Sequence, residues 1–349
     1  MVTSPTKSLS TSLCSFSSTP ESHRLLELEL MHRWSTRTWA GLSSIPEDQV
    51  YLQDCLPRAA LGSTYLMNGI LAIAAVDLAL SFGETNSAKY IRAALEYSNK
   101  GSAEFRTHLC NINTGNMTLL YYFASLAAVY NWAVPSEHMS TLDRLTMAFD
   151  MLLGAFNIAL TNIHWLCQNH STFGAVLSYG TVTMDILDLD TRIALNRLTT
   201  VSDQLRISTS SKEIEGSRQE PPFAGELVMY RIAIAQLKYS FAEDARGAIK
   251  GYCLSLITAA GSDFSLAMKN MEPMALFIVM YFGVLLDRMA SDPMCWWIAS
   301  AGKELVDAIS EILLQTPLAE IQDGLEGIAW TRQQVGLPVL LSTVVYPSN

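Results

Sequence analysis

Charge is scarce in this sequence. Only 16% of its 349 residues are Asp, Glu, Lys or Arg, against about 25% in an ordinary soluble domain. What charge there is leans acidic, 33 carboxylates against 23 Lys and Arg, a net −10. A field of that sign repels phosphate backbones, which argues against direct nucleic-acid binding. Close cysteine pairs are missing as well. Of the six cysteines, Cys14 and Cys55 lie nearest each other, 41 residues apart. Zinc sites bring their ligands in short spacings, so no metal site and no disulfide framework are read here. The six are expected to be free thiols behaving as small buried hydrophobes. Motifs that carry chemistry are also lacking: there is no G-x-S-x-G, no phosphate-cradling G-x-x-x-x-G-K, no H-E-x-x-H and no G-x-G-x-x-G. No cofactor is therefore assigned.

Apolar side chains are abundant, at 50% of the residues. Residues 107–136 and 151–184 contain no Asp, Glu, Lys or Arg at all. This excess calls for an extensive core or an apolar cavity. Residues 117–134 (MTLLYYFASLAAVYNWAV) approach the length of a membrane span. Their Tyr, Ser, Asn and Trp, and the lack of flanking basic clusters, favour a helix buried in protein instead. No membrane span is expected, and the location is read as intracellular, cytoplasmic or nuclear. Residues 1–18, rich in Ser and Thr, read as a disordered tail rather than a signal or transit peptide. Residues 19–340 read as one large helical domain and 341–349 as a C-terminal tail. The polar stretch 208–222 (STSSKEIEGSRQEPP) reads as a flexible loop.

The pattern is helical nearly throughout, so the fold class expected is all-α, with a buried apolar pocket. Thr19, Pro20 and Glu21 form a good helix start, and Leu25, Leu26, Leu28, Leu30, Met31 and Trp34 supply its apolar stripe. A short helix should begin near Pro46 and stop or kink at Pro57. Further helices are expected over 63–82, 88–110, 117–133, 142–160, 161–168, 226–242, 246–259, 273–289, 294–315 and 318–335. Gly83 to Asn86 reads as a turn. Residues 171–184 stay ambiguous between helix and strand.

Candidate site residues come from polar groups in apolar surroundings. Tyr121, Tyr122, Trp132, Trp165, Tyr281 and Trp297 could line a ligand pocket, each bringing one hydrogen-bonding atom to an apolar wall. Asp77 interrupts the apolar run 66–82, and His164 shares a helix face with Cys167 in HWLCQNH. Core packing explains most such aromatics equally well. Asp185, Asp188 and Asp190 in DILDLD read as a solvated face rather than a cation site, and His32 as a packing histidine.

Several blocks carry a family resemblance. They are LELELMHRWSTRTW at 26–39, CLPRAALGSTYLMNGILAIAAVDLA at 55–79, YIRAALEYSNKGSAEFRTHL at 90–109, EPMALFIVMYFGVLLDRM with CWWIASAGKELVDAISEIL across 272–313, and IAWTRQQVGLP at 328–338. Over roughly residues 25–340 the chain resembles the C-terminal regulatory domain of fungal zinc-cluster transcription factors of the sterol-uptake-regulator type. The resemblance implies an α-only domain that binds a hydrophobic effector such as a sterol. The family's cysteine-rich zinc cluster has no counterpart here, since only Cys14 precedes the helical region, and Asp77 stands where the family has a His.

Two readings follow. In the first, the chain is a regulator-like protein that binds a sterol- or terpenoid-like small molecule, or a partner protein, without touching DNA itself. In the second, the same pocket serves a cofactor-independent enzyme of secondary metabolism, an isomerase, cyclase or Diels-Alderase working by orientation and desolvation. A homodimer is left open in either case.

Overall fold

A computed structural model describes residues 20–43, 45–82, 84–134, 139–162, 180, 182–213 and 223–340. Among them the architecture is all-α, with no strand. Helix α1 (Pro20–Thr36) leads through a 3₁₀ turn (Thr38–Gly41) to α2 (Pro46–Val50) and α3 (Leu56–Ala60). Then come α4 (Thr64–Ser81), α5 (Glu84–His108), α6 (Met117–Ala133), α7 (Thr141–Leu160), α8 (Leu189–Glu213) and α9 (Phe223–Arg246). The chain closes with α10 (Ser255–Lys269), α11 (Pro273–Ala290), α12 (Ala301–Leu313) and α13 (Gln322–Gln334).

Two helices form the centre. α4 is rich in Ala and Leu and buries nearly every residue from Tyr65 to Ala79, while α11 buries all thirteen residues from Met274 to Leu286. Both are long and apolar enough to cross a membrane, yet 72% of each is buried inside the protein, as core helices are. α4 packs on α1, α5 and α6, and α11 on α9, α12 and α13. α7 joins the two groups. It packs beside α6 and also touches α10 and α12. Its Phe149 meets Phe282 of α11 edge-on, ring centroids 5.7 Å apart. Gly302 allows α12 to approach α11, because a Cβ there would sit 2.3 Å from the Asp287 amide nitrogen.

Several expectations shift. The helix begun at Pro46 does not stop at Pro57. Residues Tyr51–Cys55 widen into a π turn and α3 continues to Ala60. Proline has no N–H to donate four residues back, and the wider register absorbs that loss without breaking the helix. α5 begins at Glu84, inside the expected turn. α9 runs on to Arg246, and the helix expected at 246–259 instead starts at Ser255, after a turn with Gly247 and Gly251 at positive φ. Trp296 and Trp297 stand in the turn before α12 rather than at its start. α8 extends through Glu213, so the loop expected at 208–222 is helical over its first six residues; 214–222 lie outside the described residues. The tails 1–18 and 341–349, and most of 161–168 and 171–184, lie outside them too. His32 is exposed rather than packed. Cys253 and Cys295 are buried free thiols as expected, but Cys55 and Cys110 are exposed; Cys14 and Cys167 are outside the described residues.

Candidate functional site

Helix α6 carries the side chains that best suit a site. Its inner face, Met117, Leu120, Phe123, Ala124 and Ala128, is buried in the core. Tyr122, Ser125, Val129 and Trp132, at i, i+3, i+7 and i+10, share a second stripe. At one end of it Tyr122 stacks on Tyr51 of the π turn, centroids 4.9 Å apart, with Tyr121 edge-on at 5.3 Å. Burial pushes the phenols of Tyr121 and Tyr122 well above the ordinary tyrosine range, so both stay neutral. Both residues are half-buried.

At the other end Trp132 meets Trp297 edge-on, centroids 6.5 Å apart. The Trp297 indole N–H donates to the Gly41 carbonyl at 2.9 Å. Gly41 has to be glycine at this contact, since a Cβ would fall 2.4 Å from the Met294 carbonyl oxygen. Trp132 is only 6% exposed, and its own indole N–H has no partner among the described residues.

Trp132 also lines a small depression with Thr141, Arg144, Leu145, Ala301 and Leu305. It holds about 220 Å³ including the solvent at its mouth. Arg144 NH2 donates to Glu304 Oε2 at 3.0 Å and to Thr141 Oγ1 at 3.3 Å, leaving its Nε–H without a partner among the described residues. Burial acts to raise the Glu304 carboxyl, but hydrogen bonds from Ser300 and Thr141 and the Arg144 charge outweigh it and hold the group below the usual carboxylate range. A second depression, about 350 Å³ by the same measure, lies between the end of α9 and α11, where Glu243, Lys250, Cys253 and Met289 are among its walls. Its buried Glu243 is already occupied, accepting from the Ile249 amide at 2.8 Å and from Arg246. Neither depression is the enclosed interior hollow that the composition suggested.

The candidates from the sequence therefore separate. Tyr121, Tyr122 and Trp132 come together along α6, with Trp297 against Trp132. Tyr281 is elsewhere, fully buried, donating to the Ala194 carbonyl at 3.1 Å and stacked on Trp330. Asp77 lines neither depression. Arg33 grips its carboxylate at 2.8 and 2.9 Å, and Thr38 donates to it at 2.7 Å. His164 and Trp165 lie outside the described residues. In DILDLD, Asp188 caps α8 by accepting from the Thr191 amide and hydroxyl at 2.8 and 2.7 Å, and Asp190 accepts from the Trp330 indole at 2.7 Å. Asp185 is exposed. Arg144 was not singled out from the sequence, although a signal was present: it is the one Lys or Arg between Arg106 and Arg192.

The chain matches no protein-family model, no curated protein and no solved structure.

Proposed function

We propose that this chain is a transcription-regulator-like helical protein that binds an apolar small molecule and does not itself contact DNA. The observation that carries the reading is the buried, partnerless indole N–H of Trp132 beside a depression whose other walls are largely apolar. Ligand sites combine apolar walls with a few placed polar groups, and an unmatched buried donor costs about 1–3 kcal/mol until something accepts from it. The aromatic stripe of α6 extends the apolar surface toward Tyr122 and Tyr51. The resemblance of residues 25–340 to regulatory domains with hydrophobic effectors points the same way, and the net charge of −10 disfavours phosphate backbones.

Native mass spectrometry of the purified protein tests this. The expected result is a non-covalent small-molecule adduct that is released unchanged and leaves on Trp132→Leu substitution. A chain that carries no adduct and shows no melting shift with any of a panel of sterols and terpenoids overturns the reading. Release of a chemically altered molecule would instead support the cofactor-independent enzyme.

A further inference from the structure

DILDLD sets apolar and acidic side chains side by side where the chain enters α8. Ile186 and Leu189 are exposed there, Leu189 at 65%, and Ile193 one turn further on is exposed at 45%. Leu189 and Ile193, at i and i+4, share the outward face of α8, opposite the buried Ala194, Leu195 and Leu198. Exposed apolar side chains rimmed by charge are the form that a protein contact surface takes.

The charge around this face has one sign. Residues 182–191 hold three carboxylates and residues 304–331 hold six, and neither stretch contains a Lys or Arg. The fold joins the two stretches, since α8 packs along α13 and against the 3₁₀ turn Pro317–Glu320. Arg197 answers Asp323 and Glu326, Arg144 answers Glu304, and Arg332 answers Asp307. Asp185 and Glu320 have no cationic partner among the described residues. Asp188 caps α8 and Asp190 accepts from the Trp330 indole, but Thr191 and Trp330 are neutral, so neither bond cancels a charge. The exposed leucine pair of α1, Leu25 and Leu28, lies instead among both signs, with Arg24 and Glu29 beside it.

We propose that the outer face of α8 docks a basic amphipathic helix of a partner protein, its apolar stripe on Ile186, Leu189 and Ile193 and its Lys or Arg side chains against the carboxylates of α8 and α13. Charge complementarity names the occupant. The same carboxylates repel an anionic membrane or a nucleic acid, and a second copy of the chain would bring them against themselves. The proposal stands apart from the small-molecule reading, whose depression is lined from α6, α7 and α12.

Fluorescence anisotropy with labelled LKKLLKLLKKLLKL, a synthetic helix with its leucines on one face, tests the docking. One control peptide has the same composition scrambled so that leucines lie all round the helix, and the other has Glu in place of every Lys. The patterned Lys peptide is expected to bind at least about tenfold more tightly than either control at about 50 mM salt, and to weaken about fivefold or more at about 300 mM. Leu189→Ser together with Ile193→Ser should weaken it about tenfold through lost apolar burial, and Asp185→Asn about two- to threefold. Leu25→Ser together with Leu28→Ser should leave it unchanged. All these side chains are exposed, so the urea midpoints should match that of the parent protein, which separates docking from damage to the fold. Equal binding of patterned and scrambled peptides, no binding at low salt, indifference to the α8 pair, or an equal loss from the α1 pair overturns the proposal. So does sedimentation equilibrium that finds a dimer dissolved by the α8 pair, because the face would then join copies of this chain.

Discussion

The Arg33 guanidinium grips the Asp77 carboxylate across 44 positions of sequence, Nε to Oδ2 at 2.8 Å and NH2 to Oδ1 at 2.9 Å. Asp77 is 1% exposed and takes a third bond from Thr38. The polar interruption of α4 is thus the clamp that fixes α1 and the 3₁₀ turn to the central helix. Removing one partner strands a buried charge. Asp77→Ala is expected to lower stability by about 3–5 kcal/mol, read as a drop in the urea midpoint.

Trp132 and Trp297 touch edge-on, yet the same substitution should affect them differently. Trp297→Phe removes a 2.9 Å bond to the Gly41 carbonyl and loosens the 3₁₀ turn against the α11–α12 connection, costing about 2–3 kcal/mol. Trp132→Phe loses ring volume but also removes an unmatched donor, so its cost should stay under about 1 kcal/mol. Parallel urea denaturation of the two variants checks the contrast, and equal losses would contradict it.

Asp188 should couple stability to acid. Hydrogen bonds from the Thr191 amide, then the Thr191 hydroxyl, hold its carboxyl below the usual value. A depressed folded value stabilises above the unfolded value, near 3.8, and the contribution is lost as pH falls through the folded value. Asp188→Ala should therefore cost about 1 kcal/mol at pH 7, as capping residues do. The gap from the parent protein should close progressively below pH 4 in denaturation curves taken along a pH series.

The four described thiols should separate by alkylation. Cys55 and Cys110 are exposed, whereas burial pushes the Cys253 thiol up to about 12 and the Cys295 thiol up to about 11. Iodoacetamide at pH 8 should label the first pair within minutes and leave the second pair intact until the chain unfolds. Peptide mass spectrometry after timed quenching gives the order directly.

The secondary structure was legible because it is a local property. Apolar runs with helical periodicity specify α4, α6 and α11 to within a residue, whereas α8 was not expected and its capping Asp188 read only as part of a solvated face. The path through Pro57 was less legible. Whether a proline ends a helix or is absorbed by a π turn depends on packing around it. The fates of the aromatics followed the same division. From the sequence Tyr281 and Trp132 look alike, and only the packed structure gives one a carbonyl 87 residues away and leaves the other unpartnered.

The sequence by itself determined that this protein is helical and dense in apolar side chains, because helix propensity and periodicity are set by neighbours in the chain. The tertiary structure alone decided that Asp77 is a clamp and that Arg144 meets Glu304, 160 positions distant, beside an unmatched indole. Such pairs form only once α7 and α12 dock with their N-termini together, and no local pattern encodes which long-range partner a side chain finds.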